Sequence, residues 1–271
     1  LKAHLLPALI EWRKAKTGCV FFTEASINLA DDFELMDMMV RAGFDSVFIG
    51  IESPDETSLK ECCKAHNQNR DLLQDVKSIH RSGLQVMGGF IVGFDNDKPS
   101  IFQRQIEFIQ NSGIVTAMVG MLQAPPGTRL FKRLQGERRV IDNFSGDNVD
   151  GTTNIIPQMG IDRLVQGYQA IMKTIYAPKN YYQRVKTLLT ELKAPDFNQP
   201  LDTQRILSIF RSALRLGVLG KERMHYWQLM LWTLLRKPRM ISLAVTLAIF
   251  GYHYRKICEL HIYPKRHFLV G

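Results

Sequence analysis

The sequence predicts an α/β fold in which helices connect the strands of a parallel sheet, followed by an all-helical end. Three observations carry that reading. The apolar runs SVFIGIESP (46–54), VMGGFIVGFD (86–95) and MVGMLQAPPGT (118–128) each end in glycine plus polar or turn residues, the pattern of strands covered on both faces. Helix-period segments separate these runs, and connections of that length imply right-handed crossovers and parallel pairing. Beyond residue 160 the strand signals stop and helical patterns continue. Residues at the carboxyl ends of parallel strands face a shared pocket, so a small-molecule site is expected there.

Taken in order, the chain opens at Leu1 on a helix-like stretch, and an N-terminal portion is expected to precede it. Residues 19–25 (CVFFTEA) form a first strand. Asp31 and Asp32 open a helix to Arg41, with Phe33, Leu35, Met36, Met39 and Val40 near helical spacing. Ala42-Gly43 stops it. Strand 46–51 follows, then a helix beginning at Pro54-Asp55-Glu56-Thr57 and a helical pattern over 69–82. Gly83 precedes strand 84–92, residues 99–111 are helical, Ser112-Gly113 ends that helix, and 114–122 is the next strand. Residues 135–160 are rich in Gly, Asp and Asn and lack periodicity, which predicts a long ordered loop or lid. Segments 161–176 and 180–192 are helical, 194–200 is a linker, and 203–216, 221–235 and 239–257 form the helical end. The domain boundaries are therefore 1–134, 135–200 and 201–271.

The net charge of +9 is concentrated at that end: residues 201–271 hold 12 Lys/Arg against 3 Asp/Glu, while the rest of the chain balances. MHYWQLMLWTLL (224–235) and MISLAVTLAIF (240–250) are apolar but shorter than a bilayer span. They read as a buried helical hairpin. The alternative is a membrane-surface hairpin, favoured by flanking basic residues and by Trp227, Trp232, Tyr252 and Tyr254. Cys19, Cys62, Cys63 and Cys258 show neither disulfide-like nor zinc-like spacing, which fits a reduced cytoplasmic compartment. There is no Walker loop, nucleophile elbow, dinucleotide fingerprint or zinc histidine pair, and no nucleic-acid partner is expected.

Glu52 and Ser53 follow a buried strand, where a carboxylate can accept from ribose hydroxyls or an ammonium group. Gly50 allows close backbone approach. The plainer alternative is a turn in which Ser53 or Asp55 caps the next helix. The glycine-spaced run from Gly88 through Ile91 and Gly93 to Asp95 suits a flat ring, or else close packing against a helix. Residues 123–128 can offer backbone groups to a ligand or form an ordinary turn. Lys64 could reach a carboxylate, and Glu24 ends its strand near the same pocket.

The segments TEASINLADD (23–32), AGFDSVFIGIES (42–53), SLKECCKAHN (58–67), GGFIVGFDND (88–97), LQAPPGTRLFKRL (122–134) and IYAPKNYYQR (175–184) occur in an order and spacing that resemble the second half of radical S-adenosylmethionine (SAM) enzymes. The closest group is the cobalamin-binding-type proteins that include hopanoid and other lipid methylases. The helical end is similar to theirs more loosely. The resemblance implies the second half of a partial (β/α)6 TIM-like radical SAM barrel with SAM across the strand ends. Glu52 and Ser53 would contact ribose, Ile91 and Gly93 would flank adenine, and Lys64 would meet the SAM carboxylate. The backbone from Leu122 to Ala124 would contact adenine, and Glu24 and Asp95 would face substrate, although Asp95 departs from the family's acidic spacing.

A CxxxCxxC loop is absent from this sequence. The thiolates for a [4Fe–4S] cluster would therefore lie outside it, as would any cobalamin domain, and the chain reads as a C-terminal fragment inactive by itself. A hydrophobic or lipid-like substrate, methyl transfer, and a reductase, flavodoxin or ferredoxin as electron donor follow from the same resemblance. A cytoplasmic location is expected from the cysteine usage, and peripheral membrane contact from the basic, apolar helical end. Two alternatives stand beside it: a TIM-barrel lyase or aldolase using a buried Lys64, and a degenerate barrel kept as a binding scaffold.

Overall fold

The computed structural model describes residues 1–16, 18–141, 144–146, 150–194 and 203–263. One sheet holds four strands, β1 (Phe21–Ala25), β2 (Phe44–Glu52), β3 (Gln85–Val92) and β4 (Ala117–Met121). They lie side by side in sequence order, and each neighbouring pair is parallel. Helix α1 (Leu5–Lys14) precedes the sheet. The crossovers are α2 (Phe33–Ala42), then α3 (Glu56–Glu61) with α4 (Leu72–Ser82), then α5 (Ile101–Ser112). After β4 the chain is helical: α6 (Arg129–Gly136), α7 (Ile161–Ile175), α8 (Pro178–Glu191), α9 (Thr203–Ser212), α10 (Arg223–Arg236) and α11 (Ile241–Ile257). The linker expected at 194–200 lies outside the described residues, Ala194 excepted.

The crossover helices begin and end where their caps dictate. Asp32, Asp55 and Asp71 accept from backbone N–H groups in the first turns of α2, α3 and α4. Gly43, Gly83 and Gly113 take left-handed C-cap positions after α2, α4 and α5. Helix α6 was hidden in the sequence because eight residues barely exceed two turns. Its start is Thr128, whose hydroxyl accepts from the Phe131 N–H at 3.1 Å.

Strand order decides which face of the sheet is covered. Consecutive right-handed crossovers between sequential strands put every connecting helix on one side. Val47, Ile49, Ile51, Val86, Phe90 and Val92 point to that side and are buried. On the other face, register aligns Glu24 with Phe48, Phe48 with Met87, and Gly89 with Met118. There Phe22, Glu24 and Met118 are exposed, and Phe48, Met87 and Ile91 are half-buried. The expectation of strands covered on both faces is thus corrected. The runs are continuously apolar because an apolar second face is left open.

Arg184 of α8 joins the sheet to the helical end. It is fully buried, donates to the Gln110 side chain of α5 and to Ile175 O at 2.8 Å, and lies over the rings of Tyr176 and Tyr181. Among the described residues no carboxylate pairs with it, and burial pushes its pKa down. The two ring hydroxyls extend the joint: Tyr176 donates to Ala117 O of β4 at 2.9 Å and Tyr181 to Leu247 O of α11 at 2.7 Å. A side chain at Gly251 would collide with the Tyr181 ring at 2.2 Å, so glycine sets the approach of α8 and α11. Glu222, before α10, is buried in an ion pair with Arg255 of α11.

Candidate functional site

The site begins at an irregularity in β2. Register against β3 shifts between Gly50 and Glu52, and Glu52 takes a left-handed backbone with φ 64°. Such a conformation is uncommon for a residue with a Cβ, and bulges re-aim side chains at strand ends. Here the bulge swings the carboxylate back over Gly50, where its Oε1 accepts from Lys64 Nζ at 2.8 Å. A Cβ on Gly50 would lie 2.5 Å from Glu52 Oε1 and 3.0 Å from Lys64 Nζ. The glycine therefore makes room for an ion pair on the open face of the sheet.

This pair enters a cleft of about 590 Å³. Ile91, Phe94, Leu122 and Leu130 supply apolar wall; Glu61, Cys62 and Cys63 lie at the end of α3 and just after it; Thr128 and Arg129 come from the start of α6 and Arg133 from its last turn. Burial pushes the Cys62 thiol up. Arg129 is exposed and has no hydrogen-bond or ion-pair partner among the described residues. The cleft thus offers the Glu52 and Glu61 carboxylates, three cations in Lys64, Arg129 and Arg133, and apolar walls at the carboxyl ends of three strands. That set matches a ligand carrying an amino-acid-like zwitterion and a ring.

Buried polar side chains hold the strand ends that form this rim. Asn67 donates to both Gly50 O and Ile51 O at 3.0 Å. Gln105 donates to Ile91 O at 2.8 Å. Asp97 accepts from Gly93 N at 2.8 Å, Phe94 N at 3.1 Å and the Ser58 hydroxyl at 2.6 Å. Burial pushes the Asp97 pKa up, against the pull of those three donors. The segment after α6 returns through an isolated Val140–Ile155 bridge and clamps β4. Thr153 donates to Leu122 O at 2.6 Å, while Asn154 accepts from Ala124 N at 2.8 Å and donates to Ala124 O at 2.9 Å.

The structure brings Glu52, Lys64, Ile91 and Leu122 into the cleft and places the remaining candidates around it. Ser53 is buried, and its hydroxyl accepts from Asp55 N at 3.2 Å, as a turn residue would. Gly93 lies under α7, where an added Cβ would sit 3.0 Å from Leu164. The backbone of Ala124 is engaged by Asn154. Glu24 is exposed on the open sheet face, away from the cleft lining. Asp95 pairs with Arg133 at 2.6 Å and with Arg139. Burial works against its charge, yet hydrogen bonds from Arg139 and Arg133 hold its pKa below the usual carboxylate range. Lys64 sits on the turn after α3, ion-paired and partly exposed, which is not the buried strand-end lysine that an aldolase reading requires.

Sequence reasoning missed Asn67, Gln105, Asp97 and Asn154. Only Asp97 left a signal, an acidic residue four positions beyond a strand-end glycine, where a carboxylate can turn back onto backbone N–H groups. Arg129 was hidden with α6. Among the described residues no group of three or more His, Cys, Asp or Glu side chains is placed to hold a metal ion, and no helix is long and apolar enough to cross a membrane.

Fold and site together define an α/β protein with a cleft at the carboxyl edge of a parallel sheet. The chain belongs to the family described as Domain of unknown function (DUF4070), whose model matches residues 128–265, from the turn before α6 through the helical end. An uncharacterized methyltransferase of Synechocystis sp. is 35% identical over 245 residues, covering 89% of this chain and 46% of that protein. The hopanoid C-2 methylase of Rhodopseudomonas palustris is 33% identical over 243 residues, 86% of this chain and 45% of the methylase. The bacteriochlorophyllide d C-12(1)-methyltransferase of Chlorobaculum tepidum is 25% identical over 174 residues, 64% and 38% of the two chains. The chain spans about half the length of the first two relatives. Its similarity is to methyltransferases.

Proposed function

We propose that this chain forms the nucleoside-binding rim of a radical SAM methylase of the cobalamin-dependent type, acting on a hydrophobic substrate. The observation that carries the reading is the Glu52–Lys64 pair held over Gly50 beside the apolar Ile91 and Leu122. SAM joins an amino-acid zwitterion to a nucleoside, and this cleft carries groups for each part. Glu52 would accept from the ribose hydroxyls or the ammonium, Lys64 and Arg129 would meet the carboxylate, and Ile91 and Leu122 would flank the base. Similarity to three methyltransferases supports the transfer chemistry.

Bound SAM and a [4Fe–4S] cluster, with cobalamin as methyl carrier, would supply one-electron group transfer, fed by a reductase, flavodoxin or ferredoxin. The cluster thiolates would come from residues outside this chain. This chain's own contribution is to bind and orient. Asn67, Gln105, Asp97 and Asn154 stiffen the rim, so the cleft groups are positioned before the ligand arrives. The open sheet face, with Phe22, Phe48 and Met87, would line the space beside the bound nucleoside and keep it apolar. Titration calorimetry on the intact protein should show SAM binding at least tenfold weaker in Glu52→Gln, since a charge-assisted hydrogen bond is replaced by a neutral one. Unchanged affinity would end the assignment.

A further inference from the structure

The outer surface of the helical end is apolar where a monomer in water would be polar. Along α9 and the π-turn after it (Ala213–Val218), the exposed positions include Leu207, Phe210, Leu214, Val218 and Leu219, a spacing that keeps them on one side. Along α10 they are Met224, Trp227, Leu231, Leu234 and Leu235. Helix α10 is therefore apolar on its exposed side as well as on its inner side, where Tyr226, Leu229 and Met230 are buried. Phe210 is 70% exposed, Leu219 75% and Leu235 74%. Trp227 ties the two stripes together, its ring against Gly217 and its Nε1–H donating to Gly217 O at 2.9 Å. The result is a continuous apolar patch, which marks an interaction surface.

Charge selects the occupant. Arg211, Arg215, Lys221, Arg223, Arg236 and Arg239 are all exposed along these elements. The acidic side chains described over 203–263 are Glu222, buried against Arg255, and Glu259, paired with Lys256. Packing two copies face to face would juxtapose like charges, which disfavours a dimer. We infer that this face lies flat on an anionic lipid bilayer, its Leu, Phe and Trp side chains entering the acyl boundary and its arginines meeting phosphate headgroups. The inference stands independently of the SAM reading, because it involves no residue of the cleft.

Flotation of the intact protein with vesicles tests it. Phosphatidylcholine vesicles containing phosphatidylglycerol should carry the protein at low salt, and pure phosphatidylcholine vesicles should carry much less. The doubly substituted Leu219→Glu/Leu235→Glu protein should partition at least tenfold less, with an unchanged thermal unfolding midpoint because both side chains are exposed. Arg211→Glu/Arg223→Glu should lose roughly tenfold or more on the anionic vesicles. These four positions lie outside the cleft, so SAM affinity should not move. Failure of the intact protein to float, or equal partitioning of the variants, overturns the proposal. A dimer in sedimentation velocity that the leucine substitutions dissolve also overturns it and assigns the face to a second copy.

Discussion

The carboxyl rim of the sheet and the outer face of the helical end break the ordinary inside–outside rule in opposite senses. At the rim, polar groups are buried: Asn67, Gln105 and Asp97 are each less than a tenth exposed and bonded to backbone. On the helical end, large apolar groups lie in water. The exposed apolar face costs free energy in an isolated domain, whereas the buried polar groups of the rim are offset by their hydrogen bonds. The rim's hydrogen bonds fix the strand ends that border the cleft. The helical face keeps its cost until something covers it. A protein can thus reveal a precise site and a broad surface by the same test, applied with opposite signs.

Three measurements would break or sharpen that contrast. The largest effect belongs to Arg184, where the two regions meet. Arg184→Met leaves the buried Ile175 carbonyl and the half-buried Gln110 side-chain oxygen without their donor. It should cost on the order of 4 kcal/mol, from two orphaned acceptors, and urea unfolding should separate into two transitions. A single transition with unchanged stability would show that the joint lies elsewhere.

The second concerns His80, a buried polar group of α4 that takes no part in the rim. Burial drives its pKa from 6.5 down to about 4, against weaker upward pulls from the backbone at Leu84 and Ser112. The unfolded chain therefore binds this proton first. The contribution is fully present above pH 6.5 and is lost as pH falls toward 4, on the order of 3 kcal/mol in all. Denaturant titrations across that window should show the slope, and His80→Leu should flatten it. The smallest effect is expected for Asn154→Ala, about 2 kcal/mol from two buried hydrogen bonds. Hydrogen exchange should then quicken around residues 122–124, while the helical end stays protected.

Much of the α/β part was legible because its signals are local. Asp32 and Gly43 bracket α2 within one segment of sequence, and apolar runs ending in glycine locate β2 and β3. The strand-end position of Glu52 could be read in the same way. Its bulge could not, because register depends on a partner strand more than thirty residues away. The clamps share that difficulty. Asn67 and Asn154 resemble any loop asparagine until the chain folds them back onto β2 and Ala124. The open sheet face escaped for a different reason. Apolar continuity reports what the strand carries, whereas coverage depends on strand order, which no single run encodes.

Asn154 reads Ala124 at two points, taking its N–H and giving to its C=O. Only a side-chain amide carries both functions in that geometry. Aspartate, identical in shape, would aim an oxygen at a carbonyl oxygen. Deamidation would make that exchange without any mutation, so the hold on β4 has a chemical shelf life. The branched Ile155 that follows, itself buried, hinders the backbone attack that starts the reaction.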